Sequence, residues 1–146
     1  TETSVPRPTR ILSGAFVFTL GRWNDEVRQD PEHLYNGEEL ALSIRSFTAG
    51  YDLYAPSRLV VWHRQHPKTN AKYIHDAAQH EVQRHYTRTM RRLRTLFSGD
   101  PEQILAPYSL GRVRSVHRYS EWSGLDCATM TASDDARTGV TPALLS

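Results

Sequence analysis

Cysteine is nearly missing from this chain of 146 residues, in which Cys127 is the single thiol. One thiol excludes an internal disulfide and any zinc site built from several thiolates, and it favours a reducing compartment, so we expect a cytoplasmic protein. No apolar run approaches the roughly 20 residues that a membrane-spanning helix needs. The first ten residues hold neither an apolar signal core nor an initiator methionine, which indicates a processed chain or a piece of a longer one.

A strong excess of charge is also missing, because 18 Lys and Arg residues face 16 Asp and Glu residues. The basic residues do concentrate within residues 84–94, at Arg84, Arg88, Arg91, Arg92 and Arg94. This concentration is typical of the solvated side of an amphipathic helix. The alternative is a non-catalytic nucleic-acid-binding module that uses this basic helix, although no helix-turn-helix or aromatic RNA-binding motif accompanies it.

The first half of the chain predicts an α/β arrangement. Residues 11–20, ILSGAFVFTL, are almost continuously apolar and predict a strand buried on both faces, in which Gly14 marks a close backbone approach or a bulge. The following GRWNDEV predicts a short helical turn. Apolar residues repeat with helical spacing over residues 38–49 and predict one apolar helix face, and two short strand-like pieces follow in YDLYAP and RLVVWH. Strand, helix and strand in this order are typical of α/β domains.

The second half predicts helices. Apolar residues spaced three and four apart predict a long amphipathic helix over residues 70–97 and a final helix over residues 112–124. The segment after Cys127 shows no pattern and is predicted to be mobile. These features divide the chain into an extended lead-in (1–10), an α/β part (11–66), a helical extension (67–126) and a tail (127–146).

Two adjacent carboxylates, Glu38 and Glu39, follow Gly37 at the predicted start of the first long helix. Acids in a first turn stabilise the helix dipole by roughly 0.3 to 1 kcal/mol each, which is a sufficient structural explanation. The same geometry also serves chemistry, because a glycine lets a ligand approach the backbone while the first-turn side chains and free N–H groups point at it.

Histidines suggest a metal site. His63 and His66 form an HxxH pair at the end of the apolar piece RLVVW, but a zinc site made by this chain alone would need two further ligands with suitable spacing. His75, His80 and His85 are five residues apart and therefore cannot share one helix face. His63 stays open as one ligand of a site that other residues complete.

The segments GAFVFTLGRW, YNGEELALSIRSFTAG and YDLYAPSRLVVWH, in this order, resemble the C-terminal half of the catalytic domain of the GlcNAc-transferase family related to the Skp1 hydroxyproline N-acetylglucosaminyltransferases, including its bacterial members. More distantly, Gly37-Glu38-Glu39 is similar to the GGEN-type helix start of the polypeptide N-acetylgalactosaminyltransferases. In those enzymes a histidine follows the helix arginine by 18 residues, as His63 follows Arg45 here. Residues 107–127, PYSLGRVRSVHRYSEWSGLDC, resemble the closing segment of the bacterial members.

The resemblance implies the C-terminal half of a GT-A fold, an α/β nucleotide-sugar domain, within residues 11–66, followed by the long amphipathic helix. It implies transfer of a sugar, expected to be N-acetylglucosamine, from a UDP-sugar to a hydroxyl acceptor with Mn²⁺ or Mg²⁺. Glu38 would contact the donor sugar and Glu39 would be a second polar group there. Gly37 and Trp62 would lie at the donor site, and His63 would bind the metal.

The resemblance also implies that half of the catalytic domain is missing from these residues. The nucleotide-binding units and the Asp-X-Asp metal motif precede the matched strand order in the family. Neither DPE at 30–32 nor SDDA at 133–136 occupies the matching position, so neither receives that role. Mn²⁺ and Mg²⁺ prefer oxygen-rich octahedral sites, which one imidazole cannot supply. We therefore expect this chain to be inactive alone. It is expected to be either a piece of an enzyme that needs the N-terminal half as its partner or a degenerate relative that serves as a binding module.

Overall fold

The computed structural model describes residues 3–33, 37–62, 78–98, 106–126 and 128–145. Its helices are α1 (Trp23–Glu26), α2 (Glu38–Thr48), α3 (Gln79–Phe97), α4 (Val116–Ser123) and α5 (Asp134–Thr138). Its strands are β1 (Arg7–Pro8), β2 (Tyr54–Ala55), β3 (Leu125–Asp126) and β4 (Thr131–Ala132). Strand β1 pairs antiparallel with β2, and β3 with β4. This mixture of helices and small sheets is compatible with the α/β class, and within the described ranges no helix is long and apolar enough to cross a membrane.

Helix α2 lies at the centre of the described structure. The sequence predicts it over 38–49, and the structure confirms it over Glu38–Thr48. The prediction of a single apolar face is wrong, because every residue from Ala41 to Thr48 is buried. Other segments therefore cover α2 on all sides, including the side that carries its polar residues.

The buried hydroxyl groups of α2 each hold a neighbouring segment. The Ser43 hydroxyl accepts the N–H of Leu12 at 2.8 Å, and the Ser46 hydroxyl accepts the indole N–H of Trp23 at 2.9 Å. The Thr48 hydroxyl accepts a backbone N–H from the segment that enters α4. Because an unpaired polar group in the interior is costly, these bonds make the polar side of α2 compatible with burial.

Arg45 is the largest of these buried polar side chains. Its guanidinium donates to the backbone oxygens of Arg28 at 2.6 Å, Ser109 at 3.2 Å and Pro107 at 3.5 Å. Burial lowers the pKa of Arg45 from its ordinary value, and the nearby charge of Asp30 opposes that effect. The guanidinium thus joins a segment that precedes α2 in the sequence, at Arg28, to one that follows it, at residues 107–109.

The apolar core forms where α2, α3 and α4 meet. The Phe47 ring stacks on Trp122 with centroids 5.2 Å apart and meets the edge of Tyr119 at 5.3 Å. Buried side chains of the core come from α2, α3, α4 and the approach to β2: Ala41, Ile44, Phe47, Leu53, Leu93, Leu96, Phe97 and Tyr119. A smaller cluster of Trp23, Val27 and Leu42 fixes α1 against α2.

The segment before α4 wraps the end of α2, which corrects the helix predicted over 112–124. The Thr48 backbone oxygen accepts the N–H groups of Val113 at 2.9 Å and Arg114 at 3.1 Å. At Gly111 a Cβ would overlap the backbone of α2, so only glycine allows this approach. The helix therefore begins at Val116, after Ser115 accepts the backbone N–H of Arg118 as its cap.

The strand predicted over 11–20 is wrong. The Leu12 and Gly14 N–H groups donate to side chains of α2, and a turn from Ser13 to Phe16 interrupts the extended backbone. The sequence predicts that both faces of this segment are buried. Residues 13–20 are instead exposed among the described residues. The close backbone approach predicted at Gly14 is confirmed, because a Cβ there would lie 3.3 Å from Glu39 Oε1.

The remaining elements differ from the sequence predictions at their ends. The turn predicted in GRWNDEV is confirmed as α1. Of the helix predicted over 70–97, residues 79–97 form α3, and residues 63–77 lie outside the described residues. In YDLYAP only Tyr54–Ala55 forms a strand, and residues 59–62 form none. The tail after Cys127 is predicted to be mobile; within residues 128–145, β4 pairs with β3, and Ser133 caps α5 by accepting the Ala136 N–H.

Replacing Arg45 with Met should destabilise the fold strongly. The change keeps the apolar stem but leaves three backbone oxygens without their donor, so we expect the free energy of unfolding in urea to fall by about 3 kcal/mol. The matched control is Arg84→Met on the exposed side of α3, which should change it by less than about 0.5 kcal/mol. A similar small change for both variants would contradict the role given to Arg45.

Candidate functional site

The start of α2 is an open helix end. Gly37 precedes it with a left-handed φ of 81° and supplies no side-chain cap. The first intrahelical bond runs from the Ala41 N–H to the Gly37 oxygen at 2.8 Å. The N–H groups of the first turn therefore have no acceptor within the helix, and the acidic pair stands beside them.

Gly37 is required by packing as well as by its φ. A Cβ at this position would overlap the Cδ1 atom of Leu93 on α3, and it would lie 3.2 Å from Leu93 Cγ. The sequence suggested that this glycine lets a ligand approach the backbone. In the structure, Leu93 of α3 occupies the space that a side chain at position 37 would fill. Packing against α3 therefore explains the glycine.

Glu38 carries an unsatisfied oxygen. Its Oε2 atom is buried and has no hydrogen-bond partner among the described residues. A buried polar atom without a partner costs about 1 to 3 kcal/mol, and more when the group is charged. An unsatisfied group of this kind in a native structure commonly marks a ligand, ion or water position.

Glu39 has a different environment from its neighbour. Its Oε1 atom accepts the backbone N–H of Gly14 at 2.6 Å. Its own backbone oxygen accepts the hydroxyl of Ser43 at 2.5 Å, one turn along α2. The acidic pair is thus divided: Glu39 holds the segment at Gly14 against the helix, and Glu38 leaves one carboxylate oxygen unpaired.

The other predicted site residues lie after β2. Trp62 is 83% exposed, so it does not take the core role that is usual for tryptophan at a strand end. His63 and His66 lie outside the described residues. In the part of the chain that the structure describes, no three His, Cys, Asp or Glu side chains come together as a possible metal site. The donor-site role of Trp62 and the metal-binding role of His63 stay predictions.

A partly buried ion-pair network links the segment before Gly37 to α3, and the sequence analysis did not predict it. Arg92 donates through Nε at 2.8 Å and Nη2 at 2.6 Å to the Oδ2 atom of Asp30. Arg88 pairs with Glu32 at 2.7 Å, and the Thr89 hydroxyl donates to the Glu32 backbone oxygen at 3.1 Å. One sequence signal for this network was available. Arg88 and Arg92 are four residues apart and therefore lie on one face of a helix, where they can pair with the two acids of the DPE sequence.

This network gives part of the basic stretch a structural explanation. Two of its five arginines, Arg88 and Arg92, pair with the carboxylates of the DPE sequence. The remaining three, Arg84, Arg91 and Arg94, are exposed on α3.

His33 is buried within the same network, with its Nε2 atom 3.6 Å from Asp30 Oδ2. Neither ring nitrogen has a hydrogen-bond partner among the described residues. Burial lowers the pKa of His33 below its usual 6.5, Asp30 and Glu32 act in the opposite direction, and Arg92 and Arg45 add to the lowering. The ring is therefore neutral at neutral pH and becomes charged only under more acidic conditions.

An apolar groove of about 450 Å³ lies beside the Gly14 segment. Its walls come from residues 9–19, from Trp23 and from residues 51–56. Several large apolar side chains around it, among them Phe16, Val17 and Phe18, are open to solvent, and Phe18 is 91% exposed. Residues 59–62 continue this exposed apolar surface, and a second groove joins them to Ser13 and Phe16.

Acidification should destabilise the fold through His33. The unfolded chain binds the histidine proton near pH 6.5 and the folded chain binds it only at lower pH, so proton uptake favours unfolding below pH 6.5. We expect the free energy of unfolding to fall between about pH 7.5 and 5.5, and His33→Gln to remove much of that slope. His117→Gln, at an exposed position on α4, should retain it. An unchanged slope in His33→Gln would contradict this assignment.

Comparison with known protein families gives one match that spans most of the chain. The sequence model of the glycosyltransferase (GlcNAc) family matches residues 1–129, which include the acidic pair, the apolar surface and the segment that wraps α2. No curated protein and no solved structure matches the chain. Because the family match covers well over half of the 146 residues, the chain belongs to the glycosyltransferase (GlcNAc) family.

Proposed function

We propose that this chain forms part of a metal-dependent glycosyltransferase that transfers N-acetylglucosamine from UDP-N-acetylglucosamine to a hydroxyl acceptor. The family match supports glycosyl transfer. The donor, the metal and the relationship to the Skp1-type and bacterial enzymes come from the resemblance of the acidic helix start and the closing segment. We also propose that the catalytic domain has the GT-A fold and that the enzyme is cytoplasmic.

The unsatisfied carboxylate of Glu38 is the observation that carries this proposal. It stands at the uncapped start of α2, and its buried Oε2 atom has no protein partner in the described ranges. A sugar hydroxyl or amide would supply the missing donor. Placed beside the anomeric carbon, the same carboxylate would stabilise the positive charge that develops there as the glycosidic bond to UDP breaks.

Glu39 has a supporting role in this proposal. Its hydrogen bond to the Gly14 N–H keeps the preceding segment against α2, so its carboxylate is already engaged. It remains a polar group at the edge of the site and orients the first turn. Gly37 brings the turn close to α3, and the exposed ring of Trp62 is available to stack on the donor.

The metal requires ligands that the described residues do not supply. Mn²⁺ and Mg²⁺ need several oxygen ligands, and in the described ranges the acids of the DPE sequence are paired with arginines. We propose that His63 contributes one ligand and that the other half of the catalytic domain contributes the rest. When bound, the metal would neutralise the diphosphate leaving group.

The exposed apolar surface supports the proposed partner half. Residues 16–20 and 59–62 have strand-type side chains, yet the described residues provide no ladder for them. Large contiguous apolar surfaces on a protein mark interaction sites. The nucleotide-binding half, contributing a sheet layer, would cover this surface and place the UDP-sugar near Glu38.

Replacing Glu38 with Gln in the natural polypeptide that carries this chain should reduce transfer from UDP-N-acetylglucosamine by about 10²- to 10³-fold. The change keeps shape and removes the charge that the reacting centre requires. Turnover is measured by release of UDP, and the circular dichroism spectrum should be unchanged.

The adjacent acid provides a matched control for this experiment. In Glu39→Gln the amide oxygen still accepts the Gly14 N–H, so we expect a loss of about tenfold or less. Equal losses for the two variants, or wild-type turnover by Glu38→Gln, would exclude Glu38 as the residue at the reacting centre.

A further inference from the structure

The chain leading into the acidic pair contacts α3 both before and after residues 34–36. Residues 34–36 lie outside the described residues, but the chain on each side of them contacts α3. Residues 30–33 contact the Arg88–Arg92 turn of α3, and Gly37 contacts Leu93. The start of α2 therefore depends on a helix more than 40 residues later in the sequence.

The contact before residues 34–36 is polar. Arg92 directs two donors at one oxygen of Asp30, whose other oxygen accepts the Glu32 N–H at 3.0 Å. Thr89, which is fully buried, donates to the Glu32 backbone oxygen. Charge-assisted bonds with this geometry are stronger than neutral ones, so this side of the segment is fixed to α3.

The contact after residues 34–36 is apolar and closely fitted. Leu93 is 1% exposed and fills the space that a side chain at Gly37 would need. No side chain caps α2, so this packing and the bond from the Gly14 N–H to Glu39 hold the first turn. Leu93 and Thr89 lie four residues apart, and therefore one face of α3 makes both contacts.

These contacts constrain the backbone from which the Glu38 side chain projects. Glu38 is the next residue after Gly37, and the Gly37 oxygen forms the first bond of the helix with the Ala41 N–H. A small rotation at Gly37 would tilt the first turn and move the Glu38 carboxylate. Misplacement of a reacting group by about 1 Å can reduce a rate by 10²-fold.

We propose that α3 positions Glu38 for the transfer reaction, with Leu93 as the principal positioning residue and Arg92 as its partner. This inference rests on the proposed function for the role of Glu38. It gives the arginine-bearing helix a task inside the enzyme, separate from any nucleic-acid contact.

The test compares Leu93→Ala with Leu96→Ala, which removes the same atoms from another buried position of α3. Amide hydrogen exchange of the full chain reports the first turn of α2 through the Ala41 N–H and its far end through the Ala49 N–H, which donates to the Arg45 oxygen. We expect Leu93→Ala to accelerate exchange at Ala41 about tenfold more than at Ala49. Leu96→Ala should affect the two amides equally, and Leu93→Met should restore the Ala41 rate.

Transfer by the same variants gives the second readout, in the natural polypeptide that carries this chain. Leu93→Ala should lower kcat about tenfold or more with a smaller change in the donor KM, and Leu96→Ala should leave kcat within about twofold. Equal exchange at both amides, or equal kcat values for the two variants, would overturn the inference. If either Ala variant fails to fold, Leu93→Val and Leu96→Val replace the pair.

The two readouts separate this inference from the proposed function. Exchange measures the start of α2 whether or not the protein transfers sugar. Absence of transfer by the wild type would refute the proposed function, and the role of α3 in the reaction with it. Selective exchange at Ala41 with unaltered kcat in Leu93→Ala would refute the positioning role alone.

Discussion

The burial of α2 from Ala41 to Thr48 is the constraint on which the rest of the structure depends. Polar side chains within a buried helix segment must find partners, and those of this segment bind the backbone and side chains of neighbouring segments. Ser43 holds the segment before α1, Ser46 holds α1 itself, and Thr48 holds the segment before α4. Arg45 joins the chain near Arg28 to the chain near Ser109.

The same constraint explains why the start of α2 is suited to bind a ligand. The buried body of the helix is held by bonds to several segments, and its uncapped start reaches the edge of the core beside Gly37. There the acidic pair separates into two roles. Glu39 binds the Gly14 backbone, as the polar residues farther along the helix bind other segments, whereas one buried oxygen of Glu38 has no partner in the described ranges. A polar group left unsatisfied on an otherwise satisfied helix is a specific reason to expect a ligand.

Local patterns in the sequence predicted features that neighbouring residues determine. They did not predict features that depend on contacts between residues far apart in the sequence. The helix at 38–49 followed from its apolar spacing, and the backbone approach at Gly14 from the position of a glycine. The run at 11–20 has the composition of a buried strand, but the backbone donors of Leu12 and Gly14 bind side chains of α2. The solvated side predicted for the arginines of α3 is confirmed for four of the five, which are exposed. The sequence did not predict the pairing of Arg88 and Arg92, because Asp30 and Glu32 lie more than 50 residues away. For the site, motif resemblance selected the acidic pair, but only three-dimensional contacts distinguish its two members.

Donor binding by calorimetry tests the central claim most directly, namely that the unsatisfied Glu38 carboxylate belongs to a nucleotide-sugar site. UDP-N-acetylglucosamine and UDP are titrated into the natural polypeptide that carries this chain, with Mn²⁺ and again with EDTA, and into its Glu38→Gln variant. The account predicts metal-dependent binding of both ligands by the wild type, and a tighter binding of the sugar nucleotide than of UDP that the variant loses. Equal preference for the sugar nucleotide in wild type and variant would contradict it.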